Sequence, residues 1–408
     1  MADKGLIERL RAMIREIEER NPEARPEIPA PEKGPLPYRA KALVHPEPAS
    51  IQVRDNPEYR EITAVYKTGS LPWLEPCLPD SLDGFRSLEP CLESLDGWLY
   101  LDIETTGLGG AATFAFLVGL GEWTQEGFVV TQFLLTDRAG EEALLQAVRD
   151  ALDSHRTLVT FNGKTFDVPV INSRFVLSGI RPPAGPHCHL DLLALARNMG
   201  KRVQYGHNLK DSVRRFAGVA REGDVAGNLI PALYFIYERE KDASVLDPVL
   251  KHNRLDVLDM ACLARVLGAV VTAAENRPKD NLALSHAGKM HYRKGNLRLA
   301  RKCLETASAE GPCEPDKRAL LAQVMRRQGD WEGAKKIWEE LTGSGLGTAE
   351  DYLWLARYHE LVMGDLQKSL EIVEQAISRF GSGSPVPEPL QKRKARLLRR
   401  ISASRKRA

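Results

Sequence analysis

WLYLDIETTGLGG, residues 98–110, is an apolar run that ends in two carboxylates, Asp102 and Glu104, and then in a glycine-rich turn. Successive side chains of an extended strand alternate faces, so Asp102 and Glu104 point the same way. Burying charge is costly unless something pairs with it. Two carboxylates on one face also repel each other unless they share a cation. Two readings follow: a divalent-metal site, or an acidic strand end opening into solvent. The rest of the chain has to choose between them.

Around this stretch the pattern is α/β. Strand-like runs continue in TFAFLVGLGEW (113–123) and GFVVTQFLLT (127–136), and the short polar joints between runs predict antiparallel hairpins. A helical pattern covers 140–154, a fourth strand, TLVTFN, ends at Asn162, and a helix starts near Phe166 with Pro169 in its first turn. Further helices are expected at 191–199, 208–217 and 229–240, with a long one from Asp247-Pro248. Three antiparallel strands followed by helix and parallel strand resemble the element order of a ribonuclease-H-like fold, a mixed sheet with flanking helices.

Other acids fall at informative places. Asp167 follows Asn162 by five residues, just past the fourth strand, and Asp256 follows His252 by four on the long helix, a spacing that puts both on one helix face. Asp-x-Glu at 102–104, Asn-x-x-x-Phe-Asp at 162–167 and an imidazole shortly before Asp256 together resemble the three motifs of the DEDD exonucleases. More narrowly, DIETTGL, FAFLVGLG, FNGKTFDVPVINSRF, HLDLLALAR and HNRLDVLDM resemble the YprB-type ribonuclease-H-like proteins, sometimes fused to tetratricopeptide repeats, over roughly 98–270.

The resemblance implies a 3′→5′ exonuclease. Asp102, Glu104, Asp167 and Asp256 would hold two divalent cations, Mg²⁺ or Mn²⁺, and His252 would take a proton from the attacking water. The spacing departs from the better-known branches. His usually stands five residues before the Asp, and Tyr usually stands at the four-residue spacing that His252 occupies here. Thr105, Thr106 and Asn162 are candidates for contacts to the terminal nucleotide, or for local capping. Lys201, Arg202, Lys210 and Arg214 lie in a basic, aromatic-containing segment, 196–216. They are candidates for gripping a single-stranded 3′ end, or for solvent-facing charge.

From Asn281 the pattern is helical and repeats. Gly295, Gly329 and Gly364 lie 34 and 35 residues apart, each followed by Asn or Asp, and Ala300 and Ala334 share the 34-residue step. This resembles tetratricopeptide repeats, a module that would bind a protein partner. The last eighteen residues carry nine Lys or Arg and no acid, which suggests an anionic partner or a solvated terminal helix.

At the other end, 5–20 reads as an amphipathic helix and 21–38 as a proline-rich linker, followed by a near-duplication, LEPCLPDSLDGF (74–85) and LEPCLESLDGW (88–98). The expected divisions are 1–96, an N-terminal helix and linker region; 97–273, the nuclease-like domain; 279–380, the repeats; and 381–408, a basic tail.

Composition sets the broad class. The 408 residues are 43% apolar and 27% charged, with a net charge of +2. No apolar run approaches the ~20 residues needed to span a bilayer, so no membrane partner is expected. The six cysteines are scattered without a CxxC pair, which predicts neither a zinc site nor a disulfide framework and points to a cytoplasmic protein. The competing function is a scaffold that binds nucleic acid without cutting it.

Overall fold

The computed structural model describes residues 43–69, 82–87, 89–94, 96–107, 113–200, 208–275, 277, 279–311, 313–381 and 385–405. The expected helix at 5–20, the proline-rich linker, the first duplicate up to residue 81, and Lys201 and Arg202 lie outside the described residues. The chain divides into two units, Met1–Val270 with Ala274–Pro278, and Val271–Ala273 with Lys279–Ala408.

In the first unit, β1 (Leu43–Val44), β2 (Ser50–Asp55), β3 (Tyr59–Lys67) and a short helix α1 (Asp83–Arg86) lead to β4 (Trp98–Thr105), β5 (Ala115–Thr124) and β6 (Gly127–Leu135). Then come α2 (Glu141–Asp153), β7 (Thr157–Thr160), α3 (Asp167–Leu177), β8 (Cys188–Asp191), α4 (Leu192–Met199), α5 (Leu209–Ala217), β9 (Val219–Ala220), α6 (Ile230–Glu240) and α7 (Asp247–Val271). The main sheet has seven strands in the order β2-β3-β6-β5-β4-β7-β8. β4 lies between antiparallel β5 and parallel β7, so the expected mixed ribonuclease-H-like sheet is present.

The two faces of β4 differ. Leu99, Leu101 and Ile103 enter a core with Leu144, Val148, Phe175 and Tyr234. Each such full burial stabilises by about 1.5–3 kcal/mol. Asp102 and Glu104 occupy the other face, which α7 covers. Two glycines on β5 let that helix approach closely. A Cβ at Gly119 would stand 2.2 Å from Asn253 Oδ1, and one at Gly121 would stand 2.3 Å from Val257 Cγ1.

Three features depart from the sequence reading. Residues 50–67, placed there in a linker region, form the β2–β3 hairpin, whose β3 pairs with β6 along nine residues. The alternation of buried Ile62, Ala64 and Tyr66 carries the signal, but the neighbouring proline-rich sequence masks it. β8 was not expected as a strand. Cys188 at its start is disulfide-bonded to Cys91, with the two Cα atoms 5.5 Å apart. That bond corrects the expectation from cysteine spacing. The partners are 97 residues apart in sequence, and only the addition of β8 at the sheet edge brings them together.

The second unit is a series of helix pairs: α8 (Asn281–Arg293) with α9 (Leu297–Glu310), α10 (Pro315–Arg327) with α11 (Trp331–Gly343), and α12 (Ala349–Leu361) with α13 (Leu366–Phe380), followed by α14 (Glu388–Arg405). The periodic glycines make the turns. Gly295, Gly329 and Gly364 have φ of 82°, 86° and 71°, a region that glycine enters without strain. The residue after each, Asn296, Asp330 or Asp365, caps the next helix by accepting a backbone N–H three residues on. The basic end of the chain, for which a terminal helix was one of the two readings, forms helix α14. It buries Leu390 and Leu397, and its apolar spacing is diluted by the Lys and Arg between them.

Ala300 and Ala334 are fully buried in the core of this unit. Ala334→Leu should overpack it and cost about 1–3 kcal/mol. Calorimetry on the full chain should show a lowered transition for this unit while the other transition keeps its position. Two unshifted transitions would contradict the assigned packing.

No helix among the described residues is long and apolar enough to cross a membrane.

Candidate metal centre

Four acids meet where β4, α3 and α7 converge. Asp102 and Glu104 stand two residues apart on β4. Asp167 is the first residue of α3, where the backbone amides of Asp167 itself and of Ile103 favour its charged form against burial. Asp256 stands on α7, four residues beyond His252. Glu104, His252 and Asp256 each offer a ligand atom, and these atoms lie within 4.8 Å of one another.

The turn before α3 is built to deliver Asp167. Asn162 sits at φ 73°, and Asp191 at the end of β8 accepts the backbone N–H groups of Asn162 at 2.9 Å and Lys164 at 3.1 Å. Asn162 Oδ1 accepts the Thr165 hydroxyl at 2.7 Å, so its side chain is engaged in closing the turn. Thr105 and Thr106 are engaged likewise: the first donates to Gly107 O at 2.6 Å, and the second accepts the N–H of Phe114 at 3.3 Å. Lys210 reaches Asp224, with Nζ 3.7 Å from Oδ2, and Arg214 is exposed one turn further along α5.

Several residues of the site have no sequence motif. His252 Nδ1 is 2.6 Å from Asp224 Oδ1, and His252 Nε2 is 3.1 Å from Asp256 Oδ2 and 4.0 Å from Glu104 Oε1. Arg221, 2% exposed at its side chain, bonds three acids. Its Nε donates to Asp259 Oδ2 at 2.7 Å, a terminal nitrogen reaches Asp224 Oδ2 at 3.2 Å, and the other donates to Asp256 Oδ1. Asp259 Oδ1 lies 2.7 Å from His45 Nε2. Asn253 donates to Asp102 Oδ2 at 2.8 Å and accepts from Gln132 Nε2 at 2.8 Å. Asp259 was within reach of pattern reading, since it follows Asp256 by three residues on the same helix. Arg221 and Asp224, in the short connection after β9, carry no periodic signal.

The charges are unevenly compensated. Burial pushes the Glu104 carboxyl up to about 8, with Asp256 and Asp167 adding to it and His252 opposing. Burial pushes Asp167 up to about 7. Asp102 is raised well above the carboxylate range by burial and by Asp256, Glu104 and Asp167. Burial acts upward on Asp256 too, but Arg221 and His252 overcome it and hold the group at about 2. Burial acts downward on His252, yet Asp224 and Asp256 lift it to about 11. The half-buried Asp102 and Glu104 on β4 and the buried Asp167 on α3 thus have less cationic compensation than Asp256, with His252 standing 4.0 Å from Glu104. This oxygen-rich, under-neutralised set fits hard divalent cations such as Mg²⁺ or Mn²⁺.

Stability of the metal-free protein should follow from these shifts. Glu104 and Asp167 keep protons when folded at pH values where the unfolded chain has lost them. Their contribution is complete below the unfolded carboxylate range and is lost as pH rises through about 7 and about 8. The His252 contribution is complete below its unfolded value and is lost toward about 11. Asp256 works the other way: it stabilises above its unfolded value and loses that only as pH falls toward about 2. Between about pH 5 and about pH 9 the net slope is downward, on the order of a few kcal/mol. Metal-free melting temperatures should fall over this range, and less steeply in Glu104→Gln. A rising or flat profile would contradict the site's electrostatics.

A family model described as RNase_H superfamily matches residues 99–268. Uncharacterized protein YprB of Bacillus subtilis strain 168 is 31% identical over 310 residues, covering 74% of this chain and 75% of its own length. The chain belongs to the YprB family. The family-model match encloses Asp102, Glu104, Asp167, Arg221, Asp224, His252, Asn253, Asp256 and Asp259, while His45 lies outside it. Two solved structures are similar at low identity. One is the family B DNA polymerase of the hyperthermophilic archaeon Pyrobaculum calidifontis (13% identity, TM-score 0.34, 57% of this chain and 29% of that one). The other is product-bound exonuclease I (11% identity, TM-score 0.27, 76% of this chain and 99% of that one).

Proposed function

We propose that this YprB-family chain is a metal-dependent phosphodiester hydrolase that shortens single-stranded DNA or RNA from the 3′ end, a DEDD-type exonuclease. One observation carries the reading: four carboxylates from β4, α3 and α7 face one another, and burial and their mutual repulsion push three of them, Asp102, Glu104 and Asp167, above the carboxylate range. Asp102, Glu104, Asp167 and Asp256 would hold two divalent cations, which would lower the pKa of a water and neutralise charge on phosphoryl oxygens.

The protein's own residues prepare the site. Asn253 fixes the Asp102 carboxylate, and Arg221 fixes Asp256. Asp224, bonded to Nδ1 of His252, aims Nε2 toward Glu104 and Asp256. The role of base suits an imidazole that titrates near neutrality. In the metal-free site His252 holds its proton to about 11, because two carboxylates bond it. It would act as a base once Asp256 gives its charge to a bound cation. Lys210 and Arg214 on α5 support a grip on the strand beside Asp224.

His252→Ala should lower turnover about 10²–10⁴-fold, the usual contribution of a general base, with nucleic-acid affinity retained. His252→Tyr should keep more activity than His252→Ala. Normal turnover in His252→Ala would retire His252 as the base.

A second reading, non-cleaving nucleic-acid binding, is favoured by one detail. Both oxygens of Asp256 are already engaged, by Arg221 and by His252. A panel of 5′-labelled single- and double-stranded DNA and RNA, with Mg²⁺, Mn²⁺ or EDTA, separates the two. Stepwise shortening that EDTA abolishes supports the hydrolase. Binding without cleavage of any substrate under every condition supports the scaffold.

A further inference from the structure

The second unit carries a strip of arginines, three of which have no ion-pair partner among the described residues. The first helices of successive pairs, and α14 after them, lie side by side. The Tyr292 hydroxyl of α8 donates to Gln323 of α10, and Arg326 of α10 stacks over Trp354 of α12, 3.7 Å from the ring centroid. Three arginines of α14 reach Glu360 of α12: Arg393 at 2.6 Å, Arg396 at 3.5 Å, and Arg400. Glu360 is fully buried, so it is the anchor of α14 rather than a surface acid.

The other cations of the strip lack such a partner. Arg357 also stacks on Trp354, at 4.3 Å, and Arg327 on Tyr292, at 5.1 Å. Among the described residues no carboxylate lies within ion-pair distance of Arg326, Arg327 or Arg357, and Arg326 Nε is buried without an acceptor. Glu350 favours the charge of Arg326 from beyond ion-pair distance, and it accepts the Trp354 indole N–H at 3.2 Å. The cations disfavour one another. The Arg326 guanidinium is pushed down by burial and then by Arg357 and Arg327, and Arg393 by burial and then by Arg357, Arg396 and Arg400. Of six arginines on three neighbouring helices, three thus bond the buried Glu360 and three have no ion-pair partner among the described residues. Three half-buried rings, Tyr292, Trp331 and Trp354, lie among them.

We infer that the face built by α8, α10, α12 and α14 is a second binding surface, and that its occupant is a single strand of nucleic acid. Guanidinium forks match phosphate oxygens, and stacking on indole or phenol rings pre-orients them at little entropic cost. Cations interleaved with rings are the combination that holds a flexible strand without reading its sequence. An acidic peptide would use the cations but leave the rings without a role. The inference goes beyond hydrolysis at the carboxylate site and does not require that site to cut.

The test uses the full chain in EDTA, so that binding is read without cleavage. Fluorescence anisotropy follows homopolymeric single-stranded DNA and RNA across a salt series. Arg357→Gln combined with Arg396→Gln should weaken binding about tenfold or more. It should also reduce the slope of log affinity against log salt by about 1.4, two phosphate contacts at ~0.7 each. If the double variant melts early, Arg327→Gln, which is exposed, decides with an expected slope change of about 0.7. Unchanged affinity and slope in a normally folded variant overturn the inference. Displacement of the strand by polyglutamate of equal charge at lower concentration overturns it too, in favour of an acidic protein partner.

Discussion

Asp102→Asn should reduce hydrolysis by about 10²–10³-fold or more, the scale on which a single preorganised electrostatic group in an active site is missed. The side chain keeps its size and one oxygen, and Asn253 Nδ2 can still donate to it as it does to Asp102 Oδ2 at 2.8 Å. The backbone oxygen of residue 102 also remains within 3.3 Å of that donor. What disappears is a charge that burial and three neighbouring acids already disfavour. The variant should therefore melt at or above the temperature of the metal-free parent while failing to cleave. Loss of activity together with loss of fold would indicate a structural role. Full activity would remove the carboxylate cluster from the chemistry.

Arg221→Ala should be the most destabilising single change in the first unit. Removing one partner from a buried ion pair costs about 3–5 kcal/mol, because the remaining charge is left without compensation. Arg221 serves Asp224, Asp256 and Asp259 together, so the upper end of that range applies. Burial acts against its charge, yet the three acids raise its pKa. Arg221→Lys should recover only part of the loss, because an ammonium cannot reproduce a planar fork that meets three carboxylates. Denaturant unfolding at neutral pH measures both variants. A change below about 1 kcal/mol in Arg221→Ala, the scale of exposed pairs, would show that the network is solvated rather than buried.

The sequence carried the parts of this site that obey a period. Asp102 and Glu104 share a strand face because strands alternate, and His252 and Asp256 share a helix face because four residues make about one turn. The glycine-then-Asn/Asp steps of the second unit were legible for the same reason, since a positive-φ turn followed by a cap leaves a chemical signature. What escaped has no local signature. Arg221 and Asp224 belong to a short connection, and their partners on α7, His252, Asp256 and Asp259, lie 28 to 38 residues away. Asn253 lies between two recognisable residues of α7, and only the missing side chain at Gly119 makes room for it. The Cys91–Cys188 bond depends on which strand joins the sheet edge. The basic block at the end of the chain was legible as charge. Its anchor, Glu360, lies 33 residues before Arg393, in another helix.

Calorimetric titration of the metal-free protein with Mn²⁺, at about neutral pH and in buffers of different ionisation heat, bears most directly on the carboxylate cluster. Glu104 and Asp167 hold protons near neutrality, and a cation must displace them. The expected result is saturable binding with proton release in the parent protein, and much weaker binding in Asp102→Asn. No saturable binding, or binding that releases no protons and is indifferent to Asp102→Asn, would contradict a metal centre at these four acids.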